Sequence, residues 1–282
     1  MPHPSPEALR AAQEFHLTLF EAPPRGVAGE RLGKGTGASL EFQDRRAYAL
    51  GDDVRHLDWR SYARTDQLLV RQYREEIAPR VDVVLDVSRS MAVDEEKAQT
   101  AVDLALVVAG AGRRDGFQTT ILCAGERPEL LDFERFAREG AVCDGSESWD
   151  RVLDRGLELL RRGSLRVLIG DFLFPHAASE LVRPLAARSG GLALVQVLAH
   201  FDREPEPGGA LRLVDAESGA ATEVVLDDRT VRRYCERVLR LREELEAECR
   251  RAGALFALVD AEQGIDAACR GRLIPAGLLG IG

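Results

Sequence analysis

Lysine is nearly missing from this chain: Lys34 and Lys97 are the only two among 38 basic residues, so the other positive charges are arginine. A GC-rich genome accounts for that bias more simply than selection for bidentate arginine chemistry. Positive charge as a whole is also outnumbered, 38 residues against 47 acidic ones, for a net charge of -9. A field of that sign repels polyanions and disfavours nucleic acid and anionic lipid as partners. Paired cysteines are lacking too. Cys123, Cys143, Cys235, Cys249 and Cys269 are odd in number and scattered, with no CxxC pair or zinc-ligand spacing. They read as buried or partly buried thiols of a reducing compartment. No apolar run approaches the roughly 18 residues needed to cross a bilayer, and Met1 to Pro6 has no basic region followed by an apolar stretch. The expectation is a cytoplasmic protein that neither is secreted nor spans a membrane.

Two common catalytic signatures are absent as well. Gly29 to Thr36 fails the phosphate-loop pattern, because its first spacing is short and Gly35 follows Lys34. His3, His16, His56, His176 and His200 form no triad with a serine elbow. There is no internal repeat and no low-complexity segment.

What is present is a βα rhythm. Val81 to Asp86, Gln118 to Cys123, Arg166 to Asp171, Leu192 to Leu198 and Leu255 to Val259 read as short apolar strands. Between and after them, Glu95 to Ala111, Trp149 to Arg161, Ala177 to Arg188 (interrupted near Pro184), Thr230 to Ala252 and Ala261 to Cys269 read as helices. This alternation predicts an α/β fold with a mostly parallel central sheet and helices on both faces. Leu211 to Val214 and Glu223 to Leu226 flank Ser218-Gly219 and predict a small β-hairpin. Ahead of this core, Ser5 to Phe20 reads as a helix capped by Ser5, and Ala22 to Ser39 as an irregular connector. The expected organisation is therefore an N-terminal extension over residues 1–80, a main domain over 81–270 and a tail over 271–282.

Asp86-Val87-Ser88-Arg89-Ser90 follows directly on the strand from Val81. If the segment is extended, a period of two sends Asp86, Ser88 and Ser90 the same way. A carboxylate and two hydroxyls are hard oxygen ligands suited to Mg²⁺, with Mn²⁺ or Ca²⁺ as substitutes. Asp171 ends another apolar strand, and right-handed crossovers bring it to the same sheet edge. Between them Asp144 to Ser148 precedes a helix and offers Ser146 and Ser148, although Ser148 can equally be that helix's N-cap.

This constellation resembles the metal-ion-dependent adhesion site of von Willebrand factor type A domains. That family normally supplies a threonine from the middle loop, where this sequence has only Ser146 and Ser148. The resemblance implies a type A-like fold, a bound divalent cation and a role in docking proteins.

Residues 41–80 hold eight acidic and eight basic residues, a balance that suggests an ion-pair network. Arg45, Arg55 and Arg64 can pair bidentately with Asp52, Asp53, Asp58, Glu75 or Glu76. Such pairs would lock an irregular segment, with Trp59 and Tyr62 as core, or the block would dock a partner. The block from Phe42 to Arg64, including Arg45, Tyr48, Asp52, Asp53, Arg55, Asp58, Trp59 and Arg64, closely resembles the signature of the bacterial domain-of-unknown-function family 58. That resemblance extends over about Gly35 to Arg272. It implies a partner of the MoxR-type AAA+ ATPase class, with the protein acting as an adaptor or chaperone-like component. The reading that follows is a metal-dependent binding module and not an enzyme. A metal-free scaffold and, behind it, a metal-dependent phosphate-ester hydrolase are the alternatives.

Overall fold

A computed structural model describes residues 2–18, 41–48, 57–74, 80–147 and 149–281. The chain forms two compact units, one from residues 1–30 with 79–282 and one from residues 31–78.

The larger unit is built on six strands: β4 (Arg80–Asp86), β5 (Gln118–Ala124), β6 (Glu129–Leu131), β7 (Leu165–Gly170), β8 (Gly191–Leu198) and β11 (Leu255–Asp260). Their order across the sheet is β11-β8-β7-β4-β5-β6. Only β6 runs antiparallel to its neighbour. β4 and β7 are buried along almost their whole length, as continuous apolar runs must be when both faces of a parallel sheet are covered. One face packs on α1 (Pro6–Ala11), α3 (Glu95–Arg114), α4 (Phe133–Glu139) and α9 (Ile265–Ala268). The other packs on α5 (Trp149–Leu159), α6 (Ala178–Ala187) and α8 (Asp228–Ala252).

The helices begin and end where their sequences direct. Asp94 accepts the Lys97 N–H at 2.9 Å and caps α3, whose last turn carries Arg113 and Arg114. That helix is buried almost all round, as its Ala, Val and Leu content requires. Asp227 caps α8 at its start, and Gly253, at φ 69°, ends it in the left-handed conformation.

From β4 the chain lays down β5 and β6 to one side and then β7, β8 and β11 to the other. The strand order therefore reverses between β4 and β7. At such a switch point the two following loops diverge and leave a crevice at the carboxyl edge of the sheet.

Several expectations are corrected. The helix expected over Ser5 to Phe20 stops at Ala11; Ser5 does cap it, accepting the Ala8 N–H at 3.1 Å. The chain then forms β1 (Phe15–Leu17), which pairs antiparallel with β12 (Leu279–Ile281). Phe15 and Leu17 follow a period of two, not 3.6, and both are buried in the main core. The first residues and the last thus belong to the larger unit, not to an extension and a tail. α6 runs through Pro184 without a break; burial of Leu181, Val182 and Leu185 outweighs the lost hydrogen bond. The helix expected over Ala261 to Cys269 is a 3-10 turn, the short α9 and a π-turn at Cys269–Leu273. The β6 strand and α4 were not foreseen. The hairpin is β9 (Gly209–Val214) with β10 (Ala221–Leu226), turning through Gly219 at φ 69°.

The smaller unit contains β2 (Glu41–Ala47), α2 (Trp59–Thr65) and β3 (Leu69–Arg74), with β2 and β3 antiparallel. The alternation from Leu68 to Tyr73 in the sequence predicts β3. The connector expected at residues 22–39 lies outside the described residues.

Candidate cation site

β4 ends at Asp86, whose Oδ1 accepts the Ser88 backbone N–H at 2.8 Å. This side-chain-to-backbone bond turns the chain into a short 3-10 helix at Arg89–Val93. The Ser88 and Ser90 hydroxyls come to 2.8 Å from each other. Their convergence is the work of that turn, not of continued strand alternation. Two oxygens on adjacent corners of an Mg²⁺ octahedron, each about 2.1 Å from the ion, lie about 3.0 Å apart.

Asp171 follows β7, the neighbour of β4. Both residues are buried, and β7 can approach this closely because its last residue is glycine. A Cβ at Gly170 would lie 2.8 Å from the Asp86 Cβ and 3.1 Å from Asp86 Oδ2. The loop beyond is tightly held. Asp171 Oδ1 accepts the Leu173 N–H at 3.1 Å, and Gln196 Nε2 donates to the Asp171 main-chain oxygen at 2.8 Å. Between them buried Phe172 sits at φ +53°, a strained conformation for a bulky residue.

The middle loop docks beside Ser88 through its backbone, and Arg89 Nε donates to the Asp144 main-chain oxygen at 3.0 Å. Gly145 bridges Ser88 in parallel, donating to the Val87 oxygen at 3.2 Å and accepting from the Arg89 N–H at 2.9 Å. Ser146 does not turn toward Ser88 and Ser90; its N–H and hydroxyl both donate to Glu126 Oε1. Ser148 lies outside the described residues.

Two residues not singled out from sequence complete the cluster. Lys97, in the first turn of α3, donates to Asp171 Oδ2 at 3.1 Å and to Asp202 Oδ2 at 3.0 Å. Asp202 lies in the short helix α7 (His200–Arg203) after β8 and also accepts the Ala199 N–H at 3.0 Å. Lys97 carried a legible signal. It is one of two lysines in an arginine-dominated chain, and it sits in a first helical turn, where a cation is disfavoured by the helix dipole.

The electrostatics are those of a carboxylate short of positive charge. Burial, followed by the neighbouring Asp171, pushes the Asp86 carboxyl up to about 7, against the opposing effects of Ser88 and Lys97. For Lys97, burial acts to lower the pKa, but Asp171 and Asp202 outweigh it and the ammonium titrates above its ordinary value. Burial foremost pushes the nearby Cys143 thiol up to about 11, so at neutral pH it is protonated and a poor nucleophile.

Among the described residues, only Ser88 donates to Asp86, and no three of His, Cys, Asp and Glu converge as a metal-ligand group. The candidate donors are one carboxylate with two hydroxyls. That set, with the hydroxyl spacing and the unbalanced charge on Asp86, suits a hard divalent cation held by Asp86, Ser88 and Ser90. Asp171 already uses one oxygen on Leu173 and the other on Lys97.

In the smaller unit, Asp58 is buried and caps α2, accepting the Ser61 N–H at 3.2 Å and the Ser61 hydroxyl at 3.1 Å. Trp59 and Tyr62, expected in the core, are 61% and 40% exposed and meet edge-to-face at 6.4 Å. Arg64 is an exposed residue of the last turn of α2. Arg45 pairs with Arg71 across β2 and β3, and the Tyr48 N–H donates to the Leu68 oxygen at 2.9 Å. Asp52, Asp53 and Arg55, on which most of the expected ion pairs depend, lie outside the described residues.

Residues 44–245 match the family described as "Protein of unknown function DUF58". The uncharacterized proteins Rv1480 of Mycobacterium tuberculosis (strain ATCC 25618 / H37Rv) and Mb1516 of Mycobacterium bovis are each 30% identical over 238 residues. That alignment covers 79% of this chain and 75% of theirs. Among solved structures, the conserved hypothetical protein BatB from Bacteroides thetaiotaomicron aligns at a TM-score of 0.40 and 11% identity, over 71% of this chain and 98% of that one. An aerotolerance-related membrane protein from Bacteroides fragilis aligns at a TM-score of 0.33 and 10% identity, over 60% of this chain and 100% of that one. Among the described residues of this chain, no helix is long and apolar enough to cross a membrane.

Proposed function

This chain belongs to the DUF58 family of proteins of unknown function, and from that premise and the geometry around Asp86 we propose that it is a cation-dependent protein-binding module with a von Willebrand factor type A-like core. The observation that carries the reading is the Asp86 carboxyl, buried at the switch point beside two hydroxyls and, among the described residues, accepting a hydrogen bond from Ser88 alone. Asp86, Ser88 and Ser90 would hold Mg²⁺, or Mn²⁺ or Ca²⁺ in its place. When bound, such an ion supplies an open coordination position for an anionic oxygen.

The protein's own part is to hold those three side chains at one edge, keep competing water out by burial, and present a surface around them. Three loops at that edge carry exposed apolar side chains: Val93, after Ser90; Val142, in the loop that docks on Ser88; and Phe201, beside Asp202. Exposed apolar side chains close together on one edge are what a docking partner can cover. A partner would contribute an Asp or Glu at the centre. The family resemblance points to a MoxR-type AAA+ ATPase as that partner, with this chain as its adaptor and with binding, not catalysis, as its work.

The test is the affinity for a MoxR-type AAA+ ATPase of the same organism, measured with Mg²⁺, with EDTA, and with Asp86→Ala. Each perturbation is expected to weaken binding by about tenfold or more, about 1.4 kcal/mol, while circular dichroism stays unchanged. Equal affinity in all three would overturn the reading.

One observation favours the metal-free scaffold as a second reading: the Lys97 ammonium already supplies a positive charge to Asp171. In that case EDTA leaves the affinity unchanged while Asp86→Ala still lowers it.

A further inference from the structure

We propose that Lys97 is a built-in counter-ion of the cluster, which holds Asp171 and Asp202 in place when no cation is bound and keeps the affinity for a free divalent cation low. This rests on the reading of Asp86, Ser88 and Ser90 as a cation site.

The ammonium is 3% exposed at its side chain and lies 3.1 Å from Asp171 Oδ2 and 3.0 Å from Asp202 Oδ2. Both oxygens of Asp171 are therefore committed, Oδ1 to the Leu173 N–H and Oδ2 to Lys97. A cation that used Asp171 would have to share it with the ammonium and compete for its remaining lone pairs. A fixed unit charge so close to Asp171 also opposes any dication drawn to the same edge.

The residue type suits the task. A lysine ammonium is a compact point charge with rotatable donors, able to meet two carboxylates from different loops, whereas a planar guanidinium favours one carboxylate bidentately. Lysine stands here in a chain with 36 arginines, which is 38 basic residues less Lys34 and Lys97. Its position in the first turn of α3 gives it no favourable helix-dipole interaction, so Asp171 and Asp202 are what hold it.

Cation uptake is consequently linked to the partner. A dication alone must overcome the ammonium, while a dication arriving with a partner carboxylate brings its own neutralising charge. Asp202 extends the link, because it belongs to α7, where the exposed Phe201 lies beside it.

The experiment is a Mn²⁺ titration of the full chain followed by electron paramagnetic resonance, for wild type and Lys97→Met, with thermal unfolding in parallel. The variant is expected to bind Mn²⁺ about tenfold more tightly than wild type. Its melting temperature should also gain more from added Mg²⁺, since a ligand stabilises the state it binds. Binding by the variant alone supports the proposal. Equal affinity in the two proteins overturns it and leaves the cation reading standing; no binding by either overturns both. If Lys97→Met does not fold, Asp202→Asn decides. It keeps the ammonium, gives it to Asp171 alone, and is expected to weaken Mn²⁺ binding by about threefold; an unchanged or tighter affinity overturns the proposal.

Discussion

Asp86 is the residue on which the proposed cation site turns, and its titration has a measurable consequence. Its carboxyl is pushed up to about 7 by burial and by Asp171, against about 3.9 in an unfolded chain. Between those values the folded state holds more protons than the unfolded state, so stability falls as pH rises through that window. Cation-free protein should therefore lose about 2–4 kcal/mol of stability from this group between about pH 4 and pH 7. Urea unfolding at a series of pH values measures the slope. Asp86→Asn, which cannot ionise, should remove most of it and be the more stable protein at pH 8. A slope unchanged in the variant would place the titration elsewhere.

At the scale of elements, the pairing of β1 with β12 closes the fold. Residues near the two ends of the chain meet in a short antiparallel ladder, with Phe15 opposite Ile281 and Leu17 opposite Leu279. This ladder and α1 pack on α3, the helix that carries Lys97. The approach is close: a Cβ at Gly110 would lie 2.5 Å from the Ala12 Cβ. Phe15 is fully buried, and Arg270 stands over its ring at 5.4 Å. Phe15→Ala should cost about 3–5 kcal/mol, far more than expected if the first 20 residues were an appendage. Chemical denaturation of the purified variant checks this, and a cost near zero would contradict the packing described.

For the whole molecule the division into two units matters most. The larger has a six-stranded sheet covered on both faces. In the smaller, the described elements are one two-stranded ladder and one helix, and Val70 of β3 is buried together with Leu57, which bridges it from just before α2. A two-stranded sheet is marginal unless something covers it. Native-state hydrogen exchange should show protection near the global limit in β4, β5, β7 and β8, and protection weaker by at least about a hundredfold in β2 and β3. Equal protection would mean that the smaller unit opens only when the larger one does.

The sequence by itself determined the class of fold and the edge at which the site forms. Apolar runs of strand length, alternating with capped helices, leave few alternatives to a parallel sheet, and Asp86 and Asp171 each stand at the end of such a run. The local turn signals were equally legible, as Ser218-Gly219 and the Ser5 cap show. Tertiary structure alone decided which oxygens converge. Ser146 bonds to Glu126, twenty residues away in the chain, and no local pattern announces that choice. Lys97 meets Asp202 across 105 positions because the strand order places β8 beside β7. Phe15 and Leu17 became a strand because a partner ladder at Leu279–Ile281, near the other end of the chain, was available. Caps, turns and apolar periods are local interactions and can be read along the chain. Ion pairs and edge-strand pairing depend on which distant segments the packed core brings together.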